Sequence, residues 1–486
     1  MTIQHVRSAA AVAVLALLAA CGSGDKPGAS NAPAGGDSSA AAAPSPSAQG
    51  GAAPAGGMPG GDPRSVTRRM PAQIRGIYLN AYAIGRQRLP AALKIADETE
   101  INTLVVDVKD ERGMHYRSGL GLQMQLANPK EVTLTNLKAF TDTLHAHHIF
   151  AIARIVVFKD PVLSKARPDW SIRNPSGGLW ADKKGNTWVS AWDPNVWDYN
   201  IAIAEEVAKL GFDMIQFDYV RFPEPYRSLP DQVHPHAQGA RTDAIAAFLN
   251  RAKARLHPLG VPVAADVFGL TPNDPGDVGI GQQWETIAST ADVVEPMMYP
   301  SHYLPTHLPG VPHPNRMPYE TLFKSAGMAV LRTQALQQAG LHTARNIPWL
   351  QAFSAPWVDH NFTYGPEQLR QQVRGVYDVG LNDWILWSPG SKYGPFVPGL
   401  ARETRSMAST SYSAPADVRS TIAMFERQGV AEARRKAVQQ AHGNTTDRAA
   451  ADSARTGKAS PTSTSPAGAE AGTTAPAQAA PPAKRP

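Results

Sequence analysis

The stretch GFDMIQFDYVRFPEP, Gly211 to Pro225, runs as a nearly unbroken apolar strand and then ends on Asp218, Arg221 and Glu224. A strand that is apolar on both faces must be covered on both, as in a parallel sheet sheathed by helices. Charge at the end of such a strand belongs on a rim and not in the core. The same pattern repeats along the chain in RGIYLN (75–80), NTLVVDVKD (102–110), IFAIARIVVF (149–158), VPVAADVFG (261–269), DVVEPMMYP (292–300), NIPWLQAF (346–353) and DWILWS (383–388). Segments with helical spacing lie between the runs: Pro90–Glu98, Leu134–His147, Val196–Leu210, Thr242–Leu256, Gln283–Thr290, Tyr319–Ala339 and Pro366–Val379. Eight strands alternating with helices predict a (β/α)8 TIM barrel. A doubly wound open sheet is the alternative. It is disfavoured because no glycine-rich phosphate turn follows the first strand, and eight equivalent units suit closure.

The flanks differ in composition from this body. Ala and Ser are concentrated towards the two ends, whereas nearly all Trp, Tyr and Phe lie between Tyr78 and Phe425. The N-terminus carries Arg7, an apolar run from Ala9 to Ala20, and then Cys21, the only cysteine of the chain. That run is too short for a convincing membrane span and reads as a secretory signal over residues 1–20. Leu18-Ala19-Ala20-Cys21 resembles the bacterial lipobox, which implies a lipid on the Cys21 thiol and a membrane-anchored lipoprotein of the cell envelope. A secreted protein with a cleavage site near a cysteine is the alternative, but it would leave an exposed thiol in an oxidising compartment. Residues 21–69 and 443–486 hold too few large apolar side chains to fold, so they are expected as a disordered tether and tail. The barrel is assigned to 70–404. A helical extension is assigned to 405–442, with one or two amphipathic helices in ADVRSTIAMFERQGVAEARRKAVQQA (Ala416–Ala441). The formal charge of +6 includes basic residues of these flanks. It points to a basic surface beside an anionic envelope, with no nucleic-acid partner expected.

In a TIM barrel the chemistry collects where the strands end. In order, those ends offer Tyr78, Asn80 and Tyr82; Asp107, Lys109 and Asp110; Arg154, Lys159 and Asp160; Asp218 and Arg221; Asp266; Glu295, Tyr299 and His302; Gln351; and Trp387. Trp180, Trp188, Trp192, Trp197, Trp349, Trp357 and Tyr303 lie in or beside loops on the same face. Flat aromatic surfaces bind the C–H faces of sugar rings, although many such residues serve packing instead. Trp180, Trp387 and Tyr299 are the ones expected in the cleft. The expected substrate-binding set is Tyr78, Asp107, Lys109, Arg154, Trp180, Arg221, Tyr299, His302, Gln351 and Trp387.

Hydrolysis of a glycosidic bond takes two carboxyl groups, one protonated and one ionised. Asp218 and Asp266 end the fourth and fifth strands, which are neighbours on one rim. Arg221 is expected to hold Asp218 ionised, and the apolar AADVFG segment to keep Asp266 protonated. Asp218 is then the nucleophile or base and Asp266 the acid, with Glu295 as the alternative acid. For any one of these carboxylates a salt bridge or loop cap is just as ordinary a role; for the whole set on one rim it is not.

Other chemistry fits poorly. A single cysteine leaves no Cys-based metal or redox site, and no His-Glu-x-x-His occurs; no metal or cofactor is expected. HAHH (145–148) ends a helix, where cations suit the dipole. Neither a phosphate loop nor a Gly-x-Ser-x-Gly elbow is present, and the neighbours Ser301 and His302 do not make a nucleophile and base pair by adjacency.

RGIYLNAYAIG, INTLVVDVKDERG, IFAIARIVVFKDP, WDYNIAIAEEVAKLGFDMIQFDYVRFP, AADVFG, IGQQWETIA, PMMYPSHY and PWLQAF resemble, in order and spacing, a bacterial glycoside hydrolase domain family formerly catalogued as a domain of unknown function. The resemblance spans Arg75 to Pro395 and implies a TIM barrel with glycosidase activity. The GFDMIQFDY strand is also similar to the fourth strand of chitinase-type enzymes. There Gln216 and Val220 replace the first Asp and the Glu of Asp-x-Asp-x-Glu, which weighs against substrate-assisted catalysis. By analogy with α-amylase-type barrels, the nucleophile and acid map to Asp218 and Asp266. The expectation is a monomeric, envelope-anchored glycosidase acting on a polysaccharide, such as an exopolysaccharide or a cell-wall glycan. An inactive glycan-binding barrel, or a scaffold using the basic 416–441 helix, are the alternatives.

Overall fold

The computed structural model describes residues 69–84, 88–419, 422 and 429–437. Its barrel strands are β1 (Arg75–Leu79), β2 (Thr103–Asp110), β3 (Phe150–Val156), β4 (Met214–Asp218), β5 (Val263–Phe268), β6 (Val293–Met297), β7 and β8 (Trp384–Trp387). β7 consists of two short pieces, Arg345–Asn346 and Trp349–Gln351, because Pro348 between them has no N–H to donate to a ladder. Each strand runs parallel to its neighbours, and β8 pairs back onto β1. The expected (β/α)8 barrel is the observed fold.

The connecting helices are α1 (Leu89–Glu98), α2 (Leu137–Ala146), α3 (Pro194–Lys209), α4 (Arg241–Leu256), α5 (Trp284–Thr290), α6 (Pro318–Gln338) and α7 (Pro366–Asp378). Local chemistry sets several of their ends. The Asn136 side chain accepts the Ala139 N–H at the start of α2, and Asp193, followed by Pro194, accepts the Asn195 N–H at the start of α3, as N-caps do. HAHH ends α2: His145 and His147 reach Asp213 and Asp97, and His148 turns into the left-handed region.

The period of two along each strand divides the core. Val105, Ile152, Met214, Ala264, Val293, Ile347 and Ile385 fill the barrel interior with Tyr78 and Trp349. Residues of the other parity, among them Leu104, Val106, Ile155, Phe217, Val267, Leu350 and Leu386, pack outward in the helix-covered core. Following the interior parity up each strand leads to the C-terminal rim, where the polar residues stand. On β2 the register shifts between Asp107 and Lys109: Asp107 pairs with Arg154 but Lys109 with Ile155, a helix-facing residue. The irregularity turns Lys109 out of the barrel.

Of the extension expected over 405–442, the described part packs on the helical layer. Ser409 N–H donates to Tyr377 O of α7, Asp417 pairs with Lys324 of α6, and Ala414, Val418 and Ile422 cluster with Met328. Helical turns occupy 416–419 and 429–437, and Lys436 reaches Asp243 of α4 at 2.7 Å. The expectations for the signal segment, Cys21 and the tail at 443–486 lie outside the described residues, as does the tether up to residue 68.

Candidate active site

Arg154 is the hub of one half of the rim. From β3 its guanidinium donates to Asp107 on β2, and through Nε (3.0 Å) and a second nitrogen to Asp218 Oδ2 on β4. Tyr78 from β1 donates its hydroxyl to the other oxygen of Asp107. Burial pushes the Asp107 carboxyl above its usual range, with Arg154 pulling the other way. Asp218 accepts a further hydrogen bond on Oδ1 from the N–H of Tyr219 (2.5 Å). Tyr219 has φ 50°, a left-handed conformation that costs a non-glycine residue energy and that recurs beside functional groups.

The other half is a pair of carboxyl groups. Asp266 on β5 and Glu295 on β6 are cross-strand partners. The Gln216 carboxamide on β4 donates to Asp266 Oδ1 (3.1 Å) and to Glu295, and the Trp349 indole N–H donates to Asp266 Oδ1 (2.7 Å). The two carboxyls also lie within hydrogen-bonding reach of each other. Among the described residues neither forms an ion pair. Burial pushes Asp266 well above the carboxylate range, and the charges of Asp218 and Glu295 add to this. Burial likewise pushes Glu295 up to about 8, against the pull of its hydrogen bonds to Gln216, Asp266 and Trp349. Two carboxyls in contact in a dry site hold one proton between them.

An aromatic series leads away from this pair. Tyr299 stacks on Trp387 (5.0 Å between centroids, 27° between planes). Phe353 sets its edge to Trp387 (5.2 Å), and Trp357 stacks on Phe353 (6.1 Å). The series runs from the buried Tyr299, 4% exposed, to Trp357, 39% exposed. His302 lies edge-on to Tyr299 at 5.3 Å, and burial lowers its pKa to about 4, so it is neutral at pH 7.

The structure brings together Tyr78, Asp107, Arg154, Asp218, Asp266, Glu295, Tyr299, His302 and Trp387. Four other expected binding residues are placed elsewhere. Lys109 is wholly buried, paired with Asp160 Oδ2 at 2.8 Å and bonded to Val156 O, because the β2 irregularity points it under the helices. Trp180 is buried in its loop, with its indole N–H on Pro230 O. Gln351 is also buried; it accepts the Ser301 N–H and donates to Phe353 O, tying two rim loops together. Arg221 does not hold Asp218. It pairs with Glu224 (3.1 Å) and packs over the Trp188, Tyr219 and Phe268 rings, and Arg154 takes the role expected of it. Gln216 and Trp349 were not in the expected set, although the interior parity that selects Asp218 and Gln351 also selects them. Among the described residues no group of His, Cys, Asp and Glu is arranged to hold a metal ion.

A closed parallel barrel with a carboxylate cluster at the C-terminal ends of its strands is the architecture of a glycosidase-type enzyme. The model of the family described as "Putative glycosyl hydrolase domain" matches residues 76–393, and the chain belongs to that family. No curated protein matches it. Among solved structures, a hypothetical protein from Ruminiclostridium thermocellum is 34% identical, over 39% of this chain and 97% of that one, with a TM-score of 0.36. The glycoside hydrolase domain of PgaB (BpsB) from Bordetella bronchiseptica is 15% identical over 70% of this chain and 100% of that one, at a TM-score of 0.48. An α-L-fucosidase isoenzyme from Paenibacillus thiaminolyticus is 19% identical over 67% and 48%, at 0.43.

Proposed function

We propose that the barrel hydrolyses O-glycosidic bonds of a polysaccharide, with Asp218 as nucleophile or general base and Asp266 as general acid. The observation that carries this reading is the contrast between the two carboxyls. Asp218 is ion-paired with Arg154, whereas Asp266 forms no ion pair among the described residues and is pushed well above the carboxylate range, chiefly by burial and against the pull of Arg154. A carboxyl held by a cation beside one that keeps its proton, on neighbouring strands, is what acid-assisted glycoside cleavage requires. Asp266 delivers its proton to the leaving oxygen, and Asp218 attacks the anomeric carbon or activates water. Glu295, wholly buried beside Asp266 on the next strand, acts as its proton-sharing partner. Tyr299 and Trp387 offer ring faces to the sugar. The chain is anchored in the cell envelope through a lipid on Cys21, which the Leu-Ala-Ala-Cys sequence supports.

The test is reducing-end release from a panel of bacterial and plant polysaccharides by the purified full chain and its Asp218→Asn and Asp266→Asn variants. Cleavage of one glycan, with losses of about 10²–10⁴-fold in each variant at unchanged melting temperature, is expected. Release from no glycan, or full activity in either variant, overturns the assignment. For the anchor, Cys21→Ser should move the protein out of the membrane fraction; continued sedimentation with membranes refutes the lipid.

A further inference from the structure

Two lysines of the rim strands are buried, and they are treated differently. Lys109 meets Asp160 at 2.8 Å. Lys159, the residue just before that aspartate, is 7% exposed, and among the described residues it forms no ion pair or hydrogen bond. The β3–β4 ladder continues beyond its strands, with Val157 N–H donating to Asp218 O (2.8 Å) and Phe158 N–H to Tyr219 O (3.4 Å). Val156 is the ladder partner of Asp218, so Lys159 stands three residues beyond that level, next to the Phe158–Tyr219 bond. Its ammonium sits 4.7 Å from the centre of the Tyr219 ring, which Trp188 (5.7 Å) and Arg221 (5.0 Å) hold in place.

A buried ammonium with no counter-charge is costly unless something supplies acceptors. Glu111 and Asp182 are the carboxylates that act on Lys159 and Arg221 is the opposing cation; none of the three is in ion-pair contact with it. Their net pull, with that of Tyr219, keeps the amine charged despite burial. The strained Tyr219 thus serves two ends, offering its N–H to Asp218 and its ring face to the lysine.

We infer that Lys159, above the face of Tyr219, is a subsite for the carboxylate of an acidic sugar, so that the substrate is a uronic-acid-containing polysaccharide. This rests on the reading of the rim as a glycan site.

The experiment is calorimetric binding of the full chain to uronate oligomers of several linkages. Each is compared with its carboxyl-reduced counterpart, which keeps the linkage and loses the charge. At least one acidic oligomer should bind about 10–100-fold more tightly than its reduced form. Lys159→Met should erase that difference and Lys159→Arg should retain most of it. All binding is read at a temperature well below the melting point of each variant, and Lys159→Arg, which keeps the charge, controls for packing. The inference is overturned if no acidic oligomer binds, if reduction leaves affinity unchanged, or if Lys159→Met keeps the preference. Binding through Lys159 without reducing-end release from any glycan would refute hydrolysis and keep the subsite, whereas cleavage of neutral glycans alone would refute only the subsite.

Discussion

Asp266 and Glu295 face each other across the β5–β6 ladder, and a single carboxamide, that of Gln216 on β4, donates to both. The amide satisfies one oxygen of each carboxyl and leaves the pair itself to share a proton. The Trp349 indole N–H donates to Asp266 Oδ1 at 2.7 Å and also pulls on Glu295. Both members are buried, Glu295 at 0% and Asp266 at 2% exposure.

Replacing Glu295 by Gln should move the pH profile and not abolish activity. The change removes a carboxyl that raises the pKa of Asp266 and puts an N–H donor in its place. Asp266 then loses its proton at lower pH, so the high-pH limb of the kcat profile should move acidward by about a unit or more. If Glu295 were itself the acid, the variant would be inactive at every pH, and a profile from pH 4 to 9 separates the two cases.

The same pair sets a pH dependence of folding. Glu295, pushed up to about 8, keeps its proton at pH values where the unfolded chain, with a glutamate near 4.3, has released it. The folded state then holds more protons, so stability is greatest below the unfolded value and falls as pH rises towards about 8. Urea unfolding should give a loss on the order of a few kcal/mol between pH 5 and 8. Glu295→Gln should flatten it; an undiminished slope in the variant would place the titrating group elsewhere.

Arg154 links Asp107 to Asp218, and its fork is what allows one side chain to serve both. Lysine keeps the charge but not the geometry. Arg154→Lys should therefore fold, with kcat lowered by roughly 10²-fold and KM changed less. Wild-type turnover in that variant would remove Arg154 from the mechanism.

The fold was legible because every strand carries a both-faces-apolar run and every helix its own spacing. Asp218 and Asp266 were legible because interior parity plus strand order places them. Lys109 was misjudged because a register irregularity is a property of two strands at once, and no single run reveals it. Trp180 and Arg221 failed for a related reason: long loops choose their own packing, and Arg221 found Glu224 three residues away before it could reach Asp218. Gln216 was read as the loss of a chitinase carboxylate, when its amide is the donor that the Asp266–Glu295 pair needs.

Lys109 gives a stability test of that correction. Lys109→Met leaves Asp160, a wholly buried carboxylate that also caps the Pro161–Ala166 turn, without its cation. Removing one member of a buried pair costs about 3–5 kcal/mol. Chemical denaturation should register that loss while KM stays within about twofold of the parent; the reverse pattern would return Lys109 to the binding site.

Trp387 and Trp180 separate binding from packing most cleanly. Trp387 is half-buried, stacked against Tyr299 and edged by Phe353, so part of one face is free for a sugar ring. Trp180 is 1% exposed and anchored to Pro230, so a ligand cannot reach it without unfolding its loop. Trp387→Ala should therefore raise KM or Kd for the glycan by about 10-fold, the worth of an aromatic contact, with a modest stability cost. Trp180→Ala should instead cost about 3–5 kcal/mol of stability by opening a cavity. At a temperature where it is still folded, its KM should match the parent. Measuring both constants on both variants gives four numbers, and the reading of the rim holds only if binding is lost in the first protein and stability in the second.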